Sequence, residues 1–205
     1  IQVDRVAMVP VTQTVPVLGR LVPNQAGVIA ARISGPVGKM NVEVGERVKQ
    51  GDVLAVLVPD TLRWQRELRA GEVEQYEGAL ASAKAKLAKT KNELRRLRNL
   101  RRSAAFSQAR FEDQQREVEN SQGVVVKANA ELRQAKAQLK LAEINLYNSK
   151  IRAPFPGVVT KRHIDTGAYV NVGADVVTII NDQELEIEAD VPASRLGGLK
   201  PGVVL

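Results

Sequence analysis

Two periodicities divide this chain. Between Val73 and Leu97 the seam positions fall at alternating steps of three and four, through Val73, Tyr76, Leu80, Ala83, Leu87, Thr90, Leu94 and Leu97. Such spacing keeps one narrow stripe of a helix facing a partner helix, as in a coiled coil. The pattern restarts in a new phase at Phe111 and continues through Val118, Val125, Ala128, Leu132, Ala135, Leu139, Ala142 and Leu146, with Gln114 and Ser121 at the polar seam positions. Each arm has roughly 40 residues and would reach about 60 Å at 1.5 Å per residue. Equal arms about a short break predict an antiparallel hairpin. Elsewhere the period shortens to that of strands. Val53–Val58 is a continuous apolar run, and Leu185-Glu-Ile-Glu-Ala189 alternates as a half-buried strand should.

The ends of the helical stretch carry their own signals. Pro59-Asp60-Thr61 marks the start, where Asp60 or Thr61 is expected to cap free amide groups. The break is expected near Ser103-Ala-Ala-Phe106-Ser107, with Ser107 capping the second arm. Gly71, Gly78 and Gly123 fall inside the predicted helices, where each costs about 1 kcal/mol relative to alanine. Small seam residues allow the arms to approach closely and also leave a slender rod able to pack sideways on copies of itself.

The strand-like regions on either side of the helices are copies of one another. Ile33-Ser-Gly35-Pro-Val37, then Val44-Gly45-Glu-Arg-Val48-Lys-Gln-Gly51, returns 122 residues later as Phe155-Pro-Gly157-Val-Val159, then Thr166-Gly167-Ala-Tyr-Val170-Asn-Val-Gly173. Gly35, Gly45 and Gly51 superimpose on Gly157, Gly167 and Gly173 without a gap, and turns that need positive φ favour glycine. Two short half-units that each bury only part of a hydrophobic face are expected to close on one another, so the inserted helices leave and return at the same place.

Composition narrows the function. With 205 residues, 44% hydrophobic and 3% aromatic, the chain has core-forming content spread over elongated elements. No cysteine is present, which excludes disulfides and thiolate metal sites and leaves the compartment open. No run of 18 apolar residues occurs, so no spanning helix is expected in this sequence. Because it begins without Met and stops in the strand-like Val203-Val204-Leu205, the chain reads as a piece of a longer protein, and any membrane anchor is expected outside it.

The net charge of +7 is concentrated. From Lys84 to Arg102 there are nine basic residues against the single acid Glu93. Without stacking aromatics or a reading motif this is not a nucleic-acid site. It fits a solvated helix face and, in part, a protein-docking surface. Catalytic and metal chemistry find no support. His163 is the only histidine, and Glu184, Glu186, Glu188 and Asp190 fall on the outward face of one strand, as a solubilising edge. Met8 and Met40 are far apart in sequence, and no phosphate-binding glycine loop appears. No cofactor is expected.

Ile151-Arg-Ala153-Pro154-Phe-Pro-Gly157-Val-Val159 followed by Gly167-Ala-Tyr-Val170 resembles the biotinyl/lipoyl carrier fold. A biotinyl or lipoyl carrier is therefore the alternative from another class. Carrier domains place a modified lysine in a tight hairpin between their halves, whereas here the helical stretch occupies that place and Lys39-Met40 lies inside the first half. A lipoyl-like module split by a coiled-coil hairpin resembles the periplasmic adaptor, or membrane fusion protein, family of HlyD-like proteins that serve Gram-negative tripartite efflux pumps and type I secretion systems.

The resemblance implies an α+β, elongated and modular protein: a lipoyl-like β-sandwich interrupted by an antiparallel α-helical coiled-coil hairpin, plus a partial β-barrel. It divides the chain into an N-terminal part of the barrel at 1–25, a first lipoyl-like half at 26–59, the hairpin at 60–149, a second half at 150–181 and a truncated barrel continuation at 182–205, with the membrane-proximal domain largely missing. Adaptors that engage a trimeric outer-membrane channel resemble one another at the hairpin tip through Arg, Leu four residues on and Ser seven beyond, and this chain has Arg96, Leu100 and Ser107. The implied protein is a non-enzymatic periplasmic adaptor for small-molecule export, anchored to the inner membrane through a segment absent here. Its implied partners are an inner-membrane transporter, of resistance-nodulation-division type by preference and ABC type as second choice, an outer-membrane channel, and five further copies of itself in a ring. Nucleic acid is not among them.

Overall fold

The computed structural model describes Met8 and residues 18–103 and 106–190. In chain order the elements are β1 (Gly19–Pro23), β2 (Ala26–Ala30), β3 (Gly35–Met40), β4 (Arg47–Val48), β5 (Val53–Leu57), α1 (Asp60–Asn99), a short 3-10 turn (Leu100–Arg102), α2 (Gln108–Asn148), β6 (Lys150–Arg152), β7 (Gly157–Arg162), β8 (Tyr169–Val170), β9 (Asp175–Ile180) and β10 (Leu185–Ala189). This is the expected α+β arrangement, with a helical hairpin set between β-sheets. The barrel parts expected at 1–25 and 182–205 lie outside the described residues at 1–7, 9–17 and beyond Asp190, as do Ala104-Ala105 of the turn.

The two sequence copies do more than face each other, because they exchange strands. One sheet has the order β2-β9-β7-β4 and the other β6-β5-β3-β8, so each contains two strands from either copy. Displacement by 122 residues maps β3 onto β7, β4 onto β8 and the first five residues of β9 onto β5, which makes the sheets near-replicas. The hydrogen bonds between the copies are reciprocal. Gly45 N–H donates to the carbonyl of Val159 at 2.8 Å, and Gly167 N–H donates to that of Val37 at 2.8 Å. Gly51 N–H reaches Ala153 at 2.9 Å, and Gly173 N–H reaches Ala31 at 2.8 Å. These four glycines have φ between 84° and 91°, a region disfavoured for residues with a Cβ.

Gly35 and Gly157 depart from the expectation of a positive-φ turn, since both begin strands and neither has positive φ. Gly157 is needed for space. An added Cβ would overlap the backbone carbonyl of Ile180 on β9 and lie 2.9 Å from Cγ2 of Ile179. Gly35, its counterpart, has only ordinary contacts at that point, the nearest being Leu57 Cδ1 at 3.9 Å.

The sandwich core is built from matched pairs. Val37 and Val159, Val48 and Val170, Leu54 and Val176, and Leu57 and Ile179 are all buried in one cluster, and each pair is related by the same displacement. Neither copy alone holds both sheets, so the hydrophobic gain is available only when both are present.

The helical arms have 40 and 41 residues, hence about 60 Å each. Their seam is the expected one, with Val73, Leu80, Ala83, Leu87 and Thr90 buried on α1 and Ser121, Ala128, Leu132 and Ala135 buried on α2. Across it Lys136 pairs with Glu77 at 2.8 Å and Lys86 with Glu117 at 3.2 Å. These pairs are exposed and worth little individually, but they agree with one antiparallel register. The start of α1 differs from expectation. Pro59 occupies the cap position and no side chain accepts from the first amide groups, while Asp60 is already helical and meets Arg63 at 3.6 Å. Proline tolerates this place because its lacking N–H deprives the helix of nothing, and Asp60 near the positive end of the helix dipole is favourable.

Gly71, Gly78 and Gly123 lie on exposed positions of the rod, with nothing within 4 Å of where a Cβ would sit. Replacing each by alanine is expected to stabilise the hairpin by about 1 kcal/mol. Urea unfolding of the hairpin followed by circular dichroism would check this, and a lower midpoint would contradict it.

The hairpin is rooted in a hydrogen-bonded pair. β5, which feeds α1, lies beside β6, which follows α2, with Val56 opposite Lys150, and Leu57 N–H donates to Ser149 at 2.8 Å. At the other end of the sandwich, β1 and β10 form a two-stranded ribbon. Arg47 donates to Asp182 at 2.9 Å across the approach to β10, and that hydrogen bond holds the Asp182 carboxyl below the usual carboxylate range. The alternation in β10 does not make a half-buried strand here. Leu185 and Ile187 are 52% and 68% exposed, because among the described residues β10 pairs with β1 alone and no second layer covers its apolar face. The acids of its other face make exposed contacts, Glu188 with Arg20 at 2.8 Å and Glu184 accepting from Asn24 at 3.1 Å.

Candidate docking site at the hairpin tip

The far end of the rod is where sequence chemistry and structure meet. α1 closes as Leu100 N–H donates back to the carbonyl of Arg96. The chain tightens into the 3-10 turn, then Ser103 N–H donates to Leu100 at 2.8 Å and Phe106 N–H to Ser103 at 3.1 Å. Ser107 is extended, and its hydroxyl accepts from Arg110 N–H at 3.5 Å, a long N-cap for α2. Arg96 thus sits in the last turn of α1, Leu100 opens the 3-10 turn, and Ser107 stands at the head of α2. The fold gathers all three at one end of the molecule. Arg96 is exposed, Leu100 is 44% exposed, and Ser107 is half-buried.

A small aromatic cluster that sequence reasoning passed over stiffens this end. Phe106 and Phe111 have ring centroids 6.0 Å apart, and the Arg101 guanidinium lies 5.8 Å from the Phe111 ring. Cation–π and edge contacts of this kind contribute about 0.5–1 kcal/mol at exposed sites. The available signal was compositional, for two of the three phenylalanines in the chain, Phe106 and Phe111, lie within five residues of one another at the start of the second arm. Just below, Gln114 reaches across the seam, donating to the Thr90 carbonyl at 3.1 Å and to Glu93 at 3.3 Å. The polar seam position therefore carries an interhelical bond that fixes the register next to the tip.

The rest of the described chain offers no rival site. No group of three His, Asp or Glu side chains that could hold a metal ion occurs among the described residues. His163 is partly buried with Nε2 2.9 Å from Thr178 Oγ1, both in the sandwich. Lys39 lies in β3, away from any hairpin joining the two copies, because the rod stands in that place. No described helix is long and apolar enough to cross a membrane.

Residues 25–181 match the family described as CzcB-like, barrel-sandwich hybrid domain. The chain belongs to this family of membrane fusion proteins, the periplasmic adaptors of efflux pumps. Such adaptors are not enzymes, in keeping with the lack of catalytic motifs in the sequence. Among curated relatives, the adaptor is 24% identical over 184 residues to multidrug resistance protein MdtA of Photorhabdus laumondii, covering 89% of this chain and 42% of that one. It is 28% identical over 182 residues to nodulation protein NolF of Rhizobium meliloti, covering 88% and 45%. The chain therefore spans less than half the length of these two relatives. Among solved structures, MacA from Actinobacillus actinomycetemcomitans shares the adaptor's fold with a TM-score of 0.79 at 22% identity, covering 89% of this chain and 57% of that one. A MacA-MexA chimera that contains the Pseudomonas aeruginosa MexA α-hairpin is 26% identical with a TM-score of 0.53, covering 89% and 56%.

Proposed function

We propose that this chain is the hairpin-bearing part of a periplasmic adaptor that links an inner-membrane transporter to an outer-membrane channel for the export of small molecules. One observation carries the reading: Arg96, Leu100 and Ser107 fall together at the free end of a rod whose other end is clamped into the strand-exchanged sandwich. In this arrangement the sandwiches pack side by side in a ring of six, the rods supply reach, and the tips seal on the channel. Arg96 donates several directed hydrogen bonds, Leu100 fills an apolar groove between partner helices, and Ser107 holds the turn in shape. The name of the first relative, a multidrug resistance protein, favours small drugs as cargo. Our first choice for the inner-membrane partner is a resistance-nodulation-division transporter and our second is an ABC-type pump.

Capture of partners by the full-length protein from cross-linked cells tests this directly. Recovery of an outer-membrane channel together with one transporter class is expected. Recovery of neither would leave a coiled-coil scaffold without a transport role.

A further inference from the structure

Residues 94–111 carry six arginines, Arg95, Arg96, Arg98, Arg101, Arg102 and Arg110, and no acid. All six are exposed. The cations just below on the same helix are Lys84, Lys86, Lys89 and Lys91, with Arg63, Arg66 and Arg69 at its base, and no lysine occurs from position 92 to 126. The free end of the rod thus carries arginine and no lysine. For solubility or bulk charge the two residues serve equally well. They differ in that guanidinium is a planar fork that matches a carboxylate in a two-point hydrogen bond, whereas ammonium is a compact point charge.

The acids bordering this stretch are engaged elsewhere. Glu93 accepts from Gln114 at 3.3 Å, Glu112 accepts from Gln108 at 2.6 Å, Asp113 pairs with Arg116 at 2.7 Å, and Glu117 pairs with Lys86 at 3.2 Å. Among the described residues none of the six tip arginines forms an ion pair, while Arg20, Arg47 and Arg69 in other parts of the chain do. Arg101 has its guanidinium 5.8 Å from the centre of the Phe111 ring, a contact that restricts its orientation.

We infer that the tip is an arginine-specific docking surface for a protein whose facing groups are carboxylates, with Arg95, Arg98, Arg101 and Arg102 acting alongside Arg96. This rests on the adaptor reading and adds the chemistry of the partner to it. A lipid surface is the weaker match. Phosphate headgroups also accept the guanidinium fork, so arginine alone does not separate them from carboxylates, but stable seating on a bilayer needs buried apolar area as well. The two tip phenylalanines are half-buried near one another, leaving Leu100 as the exposed large apolar side chain there.

The test keeps charge and changes shape. Full-length adaptor and a variant with Arg95→Lys, Arg98→Lys, Arg101→Lys and Arg102→Lys, both retaining Arg96, are titrated against the detergent-solubilised outer-membrane channel recovered by the capture experiment and against phosphatidylglycerol vesicles. The lysine variant is expected to bind the channel at least tenfold more weakly with unchanged helical circular dichroism, and wild-type affinity for the channel is expected to fall steeply with salt. Equal channel binding by the two proteins overturns the inference while leaving the adaptor reading intact. Vesicle binding as tight as channel binding, whether or not the lysine variant weakens it, also overturns it in favour of a membrane surface. Failure of the wild type to bind any channel removes the adaptor reading, and this inference with it.

Discussion

Cells carrying Arg96→Asp are expected to lose drug resistance to the level of a strain lacking the adaptor, at equal expression of the protein. The substitution reverses one charge on an exposed side chain, in the last turn of α1 and away from the seam, so the rod should keep its fold. Two effects add at the docking surface. The directed donors of Arg96 disappear, and a carboxylate is placed where partner acceptors are expected, which like-charge contact makes costly. Losses of 2–5 kcal/mol are usual when one member of a buried charged pair is removed at an interface. A loss of that size corresponds to a drop of roughly thirty-fold or more in affinity. Susceptibility assays with matched immunoblots would check the outcome. Resistance equal to wild type would sink the assignment of the tip as the docking site.

The second large effect belongs to the sandwich and comes with an internal control. Gly157→Ala should destabilise the module by about 3 kcal/mol, in the range found for overpacked cores, while Gly35→Ala at the matching place in the other sheet should change it by less than about 1 kcal/mol. The two glycines occupy equivalent positions in the sequence repeat and differ in surroundings. The Cβ at Gly157 would press on the backbone of Ile180 in the neighbouring strand, which cannot turn aside as a side chain can. At Gly35 the nearest atoms are the tip and Cβ of the Leu57 side chain at 3.9 and 4.0 Å. Denaturant midpoints for the two variants decide the matter, and equal midpoints would contradict the close-approach account.

Much of this organisation could be read from residues alone. The 122-residue repeat requires only that the glycines at 45, 51, 167 and 173 keep their spacing, and the positive φ at each explains why they do. The coiled-coil seam was legible because a buried stripe leaves its period in the sequence, and Thr90, Gln114 and Ser121 fitted it despite their polarity. The exchange of β4 and β8 between sheets was not legible, since hydrogen-bond partners leave no local mark and Arg47 and Tyr169 reveal nothing about which strand they face. The cap of α1 was misread because Asp60 is a favourable residue both before a helix and within its first turn. The strand at Leu185–Ala189 shows that alternation records where an apolar face points, whereas burial depends on what lies opposite. At the tip, the motif positions could be counted off, but the packing of Phe106, Phe111 and Arg101 depends on a turn whose shape emerges only in three dimensions.

Since both arms emerge from neighbouring hydrogen-bonded strands, β5 and β6, the rod meets its base at a single two-strand anchor. Adding or removing the same number of heptads in each arm leaves that anchor and the seam phase unaltered, and shifts the tip by about 10 Å per heptad at 1.5 Å per residue. Reach of the rod and closure of its base are therefore independent variables in this architecture, and one can change without altering the other.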